Sequence, residues 1–131
     1  MIVMDASIAL ANVMPDEESP YAEAVLDRLE DEPALAPTLW LYEVASALRL
    51  GQIRNRITQE FADTVVAQVK ELHIEFEHPD GLQLMRLSRQ TGLTVYDASY
   101  LALCLQHQLP LASLDRRLVQ AARDLGIVVL T

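Results

Sequence analysis

The chain has 131 residues, 51% of them apolar, a mean hydropathy of +0.15 and a formal net charge of −9 at pH 7. That length reads as one domain, residues 1–131, with a substantial core. No apolar run reaches the roughly 18 residues of a membrane span, and the start at Met1 has neither the basic region nor the cleavage site of a signal peptide. Cys104 is the single cysteine. An internal disulfide and a cysteine-based zinc site are thereby excluded, a buried thiol is expected, and the cytoplasm is the expected location.

The net charge argues against a generic nucleic-acid binder. Its distribution is uneven. Residues 16–32 hold eight acids against Arg28, a net of −7, which leaves −2 for the rest of the chain. Lys70 is the only lysine, and Arg49, Arg54 and Arg56 cluster, as do the pairs Arg86/Arg89 and Arg116/Arg117. These arginines read either as a local basic rim or as ordinary solvated helix faces.

In chain order, residues 2–4 read as a strand and 6–14 as a short helix stopped by Pro15. Residues 20–31 read as an amphipathic helix with Pro20 in its first turn. Residues 34–36 read as a short strand. Thr38 is the expected cap of a long helix ended by Gly51, and Thr58 of another running to about Leu72. Residues 74–76 read as a strand, 79–92 as a helix opened by Pro79 and closed at Gly92, and 97–107 as a helix. Residues 111–113 read as a strand, 116–125 as a helix closed by Gly126, and 127–130 as a final strand. Short, continuously apolar strands alternating with helices predict an α/β fold with a mostly parallel sheet buried on both faces. In such sheets ligands bind beyond the carboxyl ends of the strands.

Four acids stand out against this frame. Asp5 closes the first strand, Asp115 follows the strand at 111–113, Glu43 rides on an apolar helix, and Asp97 opens another. Acids embedded in apolar sequence need neutralising partners, and hard divalent cations prefer carboxylate oxygens. Parallel pairing would place Asp5 and Asp115 on one edge of the sheet. Each aspartate also reads as a helix N-cap. Glu43 has Leu39, Trp40, Ser46 and Ala47 as its helical neighbours and no local ionic partner. Ser7 and Ser113 stand beside two of the acids, as supports for a carboxylate or as turn formers. His73, His78 and His107 have no metal-ligand spacing and read as surface residues.

The sequence around each acid resembles the PIN-domain ribonucleases, most closely the VapC-type toxins of prokaryotic toxin–antitoxin pairs. The matching stretches are Val3-Met-Asp5-Ala-Ser7-Ile-Ala-Leu, Pro37-Thr-Leu-Trp-Leu-Tyr-Glu43-Val-Ala-Ser-Ala-Leu, Leu93-Thr-Val-Tyr-Asp97-Ala-Ser-Tyr-Leu-Ala-Leu-Cys, and Leu109-Pro-Leu-Ala-Ser113-Leu-Asp115-Arg-Arg-Leu with Ala121-Ala-Arg-Asp-Leu-Gly after it. They stand in family order across essentially the whole chain. Asn12 departs from the pattern, standing where many relatives carry a bulky aromatic.

The resemblance implies a parallel five-stranded sheet with helices on both faces. It implies Mg²⁺- or Mn²⁺-dependent endonucleolytic cleavage of RNA, with Asp5, Glu43, Asp97 and Asp115 as catalytic and metal-holding residues. It also implies a cognate VapB-like antitoxin, a homodimer and no membrane partner. On that reading Arg49, Arg54, Arg56, Arg116 and Arg117 are candidates for contact with the RNA backbone.

Two other readings start from the same acids. A phosphoacceptor or phosphatase α/β domain also places Asp after its first strand, but it needs a well-placed lysine, and Lys70 lies within an expected helix. The phosphatase Asp-x-Asp is broken by Ser7. A non-catalytic binding module of the same fold would have lost an acid, and all four are present.

Overall fold

The computed structural model describes residues 1–14 and 17–131. The expected stop at Pro15 lies outside the described residues. Four strands form the sheet: β1 (Ile2–Met4), β2 (Ala34–Pro37), β3 (Ile74–Glu77) and β4 (Leu111–Ala112). Their order is β3-β2-β1-β4, and every pairing is parallel. The helices are α1 (Ala6–Leu10), α2 (Pro20–Arg28), α3 (Trp40–Ile53), α4 (Gln59–Val69), α5 (Gly81–Thr91), α6 (Val95–His107) and α7 (Arg116–Asp124).

The expected five-stranded sheet is corrected to four. Residues 127–130 supply one isolated bridge, Val129 to Leu111, with Leu111 N donating to the Val128 carbonyl at 2.9 Å and Leu130 N to the Leu111 carbonyl at 2.8 Å. The ladder stops there because β4 itself is spent after Ala112. The next residue, Ser113, leaves the sheet and turns its hydroxyl to Asp5.

Alternation along β3 shows which helices cover which face. Successive side chains of a strand point to opposite faces. Phe76 meets Trp40 of α3, with ring centroids 6.1 Å apart, while the adjacent Glu77 meets His107 of α6 at 2.6 Å. Helices α3 and α6 therefore lie on opposite sides of the sheet. The core is built from β1, β2 and β4, buried throughout, with Trp40, Val44 and Leu48 of α3 and Ala98 to Cys104 of α6. The middle of α6, Ala98 to Cys104, is buried all round because it packs across β1, β2 and β4 while α5 covers its outer side. Cys104 is one of its core residues, and burial pushes the thiol up to about 12.

Local signals set most helix ends. Ser19, Thr58, Asp80 and Thr94 each accept the backbone N–H three residues on, Thr58 as expected, and Gly92 and Gly126 close helices at positive φ. Three expectations fail locally. Thr38 bonds His78 Nδ1 at 3.0 Å, and α3 begins after Leu39 with no side-chain cap. Gly51 lies buried inside α3, which runs on to Ile53, so this glycine does not end the helix. Helix α1 ends at Leu10, and Asn12 then takes a φ of 69°. Asn tolerates that left-handed region, and its Oδ1 accepts from Ser19 N at 2.5 Å, tying the entry of α2 to the end of α1.

A candidate carboxylate site at the carboxyl edge of the sheet

Met4 pairs with Ala112, so the residues that follow, Asp5 and Ser113, leave adjacent strands side by side. Asp5 N donates to the Ala112 carbonyl at 3.1 Å, and only 6% of Asp5 is exposed. Its two carboxylate oxygens are both occupied. Ser7 N donates to Oδ1 at 3.0 Å and the Ser7 hydroxyl donates to the same oxygen, while the Ser113 hydroxyl donates to Oδ2 at 2.6 Å. Each serine is itself held from behind. Leu114 N donates to Ser7 Oγ and Asp115 N to Ser113 Oγ, both at 2.9 Å. The result is a closed hydrogen-bond seam joining β1 to β4. Asp5 is thus both the N-cap of α1 and a buried carboxylate. Burial pushes its pKa up to about 6 against the pull of the three hydrogen bonds, and Asp115 adds to the rise.

The other acids reach the same edge from helices. Asp115 caps α7, its Oδ1 accepting from Arg117 N at 2.9 Å and Leu118 N at 3.2 Å, and it is exposed. Asp97 is not the cap of α6. Thr94 holds that role and accepts from Asp97 N at 3.1 Å, which leaves the Asp97 carboxylate, one turn in, free to face the site. Burial raises the Asp97 pKa, Asp115 raises it further, and Arg117 opposes both. Glu43, in the first turn of α3, is half-buried and accepts a hydrogen bond on Oε1 from the hydroxyl of Tyr100. Its pKa is raised by burial and then by Asp97, Asp5 and Asp115 in turn.

The structure thus places all four predicted acids within electrostatic reach of one another. It does not close them into a cage: among the described residues no three carboxylate, imidazole or thiol groups are tight enough to hold an ion. The donor set suits a hard cation, being four carboxylates supported by serine hydroxyls. Three of them are already pushed toward the protonated form by burial and shared charge, and a bound cation would reverse that push.

Glu43 and Asp97 open onto a groove of about 550 Å³ between α3 and the start of α6, walled by Leu39, Tyr42, Ser46, Leu50 and Tyr96. Tyr42 and Tyr96 stand 76% and 68% exposed there. A second hollow, of about 620 Å³, lies beyond Ser7 and is walled by Asn12, Glu17, Glu18 and Leu114, so Asn12 does bear on a pocket wall.

Arg49, Arg54, Arg56, Arg116 and Arg117 are all exposed, and of these Arg117 acts on an acid of the site. Arg56 lies 3.9 Å from Glu17. All three histidines are exposed, as expected. Sequence reasoning overlooked Thr94 and Tyr100. The first was signalled by Thr94-Val-Tyr-Asp97, a capping-box spacing, and the second by a lone hydroxyl-bearing ring one turn after Asp97 in an otherwise aliphatic run.

Residues 2–124 match the family model described as PIN domain. The chain is similar to Ribonuclease VapC3 of Pyrobaculum aerophilum, with 28% identity over 91% of this chain and 92% of that protein. It is also similar to Ribonuclease VapC12 of Mycobacterium tuberculosis, with 30% identity over 92% of each. Among solved structures, PAE2754 from Pyrobaculum aerophilum superposes with a TM-score of 0.72 at 24% identity, over 92% of this chain and 83% of that one. FitAcB from Neisseria gonorrhoeae superposes with a TM-score of 0.69 at 17% identity, over 100% and 97%. Matched over nearly its full length by the family model and by a relative at 30% identity, the chain belongs to the PIN-domain family, on its VapC branch.

Proposed function

We propose that this protein is a Mg²⁺- or Mn²⁺-dependent endoribonuclease, the toxin of a toxin–antitoxin pair acting in the cytoplasm. The observation that carries the reading is the convergence on one sheet edge of Asp5 after β1, Asp115 after β4, and Glu43 and Asp97 in the first turns of α3 and α6, where these two share a groove. The names of the VapC relatives support it. These four acids are the residues that would hold the cation, which when bound supplies Lewis acidity toward a phosphodiester and acidifies the water beside it.

The chain's own residues divide the remaining work. Asp5, fixed by Ser7 and Ser113, is the rigid anchor of the donor set. Glu43 has one oxygen tied to Tyr100 and the other left to face the cation. Asp115 spends Oδ1 on the first amides of α7 and keeps Oδ2 for the site. Arg117 supplies positive charge next to Asp97, where a phosphate would pass. The groove beside Glu43 and Asp97 admits single-stranded RNA, with Tyr42 and Tyr96 as faces on which unpaired bases stack.

An uncovered nuclease would damage its own cell. A VapB-like antitoxin is the expected control, with a basic side chain that neutralises the carboxylates, and a homodimer is the expected assembly. Induced alone from a tight promoter, the protein should arrest growth. Co-expression of an adjacent antitoxin gene should relieve the arrest, and Asp97→Asn should remove it. Purified protein should cut single-stranded RNA with Mg²⁺ or Mn²⁺ and stop with chelator. Equal growth of wild type and Asp97→Asn would sink the toxin reading; absence of metal-dependent cleavage would sink the nuclease.

A further inference from the structure

We propose that Tyr100 is a positioning residue of the site, its buried hydroxyl holding Glu43 so that one carboxylate oxygen faces the bound cation. The inference rests on the metal-nuclease reading of the four acids. It begins with an anomaly in α6. From Ala98 to Cys104 this helix is continuously buried, and a ring with a polar tip is expensive there unless the hydroxyl finds a partner. Tyr100 is only 1% exposed. Its hydroxyl donates to Glu43 Oε1, across 57 residues of sequence and from the opposite helix layer.

This one hydrogen bond links α6, which carries Asp97, to α3, which carries Glu43. Tyr100 also follows Asp97 by three residues, so the two lie on adjoining turns of one helix face. Any change in the setting of α6 would move Asp97 and the tether of Glu43 together. Glu43 has no other side-chain hydrogen bond among the described residues, so without Tyr100 its long side chain would sample several rotamers at the groove mouth. Groups that orient a ligating side chain in this way typically contribute 10–100-fold in metal affinity.

The test is a double-mutant cycle on Mn²⁺ affinity, measured by calorimetry on the full chain. Tyr100→Phe keeps the ring in the core and should weaken Mn²⁺ binding by about 10–100-fold. In a Glu43→Ala background the same substitution should change affinity by less than about twofold, because the group it positions is gone. A merely structural tyrosine would weaken binding equally in both backgrounds, and that result would overturn the proposal. So would wild-type affinity in Tyr100→Phe. Failure of the wild-type chain to bind Mn²⁺ at all would remove the metal reading itself, which separates the two failures.

A second measurement needs no change at position 100. The four tyrosines can be labelled at Cζ, and the Tyr100 resonance identified by elimination with Tyr21→Phe, Tyr42→Phe and Tyr96→Phe. That resonance should shift on Mg²⁺ addition with the midpoint of Mg²⁺ binding. An unmoved Tyr100 signal at saturating Mg²⁺ would overturn the proposal even if Tyr100→Phe fails to fold.

Discussion

Two seams meet at the candidate site, and they are built on different principles. At the β1–β4 seam Asp5 is buried, with both carboxylate oxygens bonded to serines that are themselves bonded to backbone amides. At the α3–α6 seam Glu43 and Asp97 are half-exposed, and they look onto an open groove. The closed seam fixes a charge in place and accepts a raised pKa in return. The open seam leaves its charges close to their partners but able to adjust. On the proposed reading, holding a cation and admitting a polymer call for one wall of each kind, and the changes that matter should differ sharply between the two.

The largest effect is expected at the closed seam. Asp5→Asn should lower metal-dependent RNA cleavage by at least about a hundredfold, more than the loss of a supporting group alone. The protein should still fold, since the amide can exchange hydrogen bonds with Ser7 and Ser113 and a costly buried charge has gone. Its metal-free melting temperature at neutral pH should equal or exceed that of wild type. Wild-type cleavage by purified Asp5→Asn would break the asymmetry.

The raised pKa of Asp5 gives a second handle. The folded chain holds this proton up to about pH 6, whereas the unfolded chain releases it near the ordinary carboxylate value of 3.8. The contribution is therefore fully present below about pH 4 and is lost as pH rises through about 6. A shift of that size is worth about 3 kcal/mol. Denaturant unfolding of metal-free wild type and Asp5→Asn at pH 4 and pH 7 should show wild type losing about that much relative to the variant. Glu43 and Asp97 shift in the same direction and remain in both proteins. A constant difference between the two proteins would show that Asp5 is not titrating as a buried acid.

A matched pair of hydroxyl deletions compares the seams directly. Ser113 donates to the Asp5 carboxylate, while Thr94 accepts from the backbone amide of Asp97. Ser113→Ala should weaken Mn²⁺ affinity by about 10–100-fold with little change in fold. Thr94→Ala should cost about 1 kcal/mol of stability through the lost helix cap, and leave Mn²⁺ affinity within about twofold. Equal effects on metal affinity would mean that Asp97 depends on its helix end as much as Asp5 depends on its clamp.

The sequence made the anchors of this arrangement legible and left the linkages hidden. Asp5 and Asp115 could be placed because each ends a short apolar run, and runs of that kind become parallel strands whose ends share an edge. Asp80 and Thr94 were local capping signals that went unread. Gly51 was misread because a glycine inside a helix and one that ends it look alike in the sequence, and α3 runs on to Ile53. The 127–130 run has the composition of a strand, but strand formation requires a partner with free backbone groups, and β4 ends after two residues. Tyr100 is the same kind of omission. Its partner Glu43 is far away in sequence, so the chain shows only a tyrosine in an apolar helix.

The smallest effects should come from the arginines on the outer end of the open seam. Arg49 lies on α3, the helix that carries Glu43; Arg54 caps its C-terminus and Arg56 follows in the next turn, and all three are exposed. If RNA lies along the groove, its backbone should pass these side chains after leaving the acids. Binding of single-stranded RNA to an Asp97→Asn background, where cleavage is absent, isolates that contact. Arg49→Ala and Arg54→Ala should each reduce the dependence of log affinity on log salt by about one. They should leave Mn²⁺ affinity unchanged. Arg56→Ala should do less, because Glu17 lies 3.9 Å from its guanidinium and already answers part of its charge. An unchanged salt slope in the triple variant would take the RNA off this face. The remaining basic approach to the acids is then by Arg116 and Arg117 at the start of α7, beside the closed seam, and the division of labour between the two walls would have to be reversed.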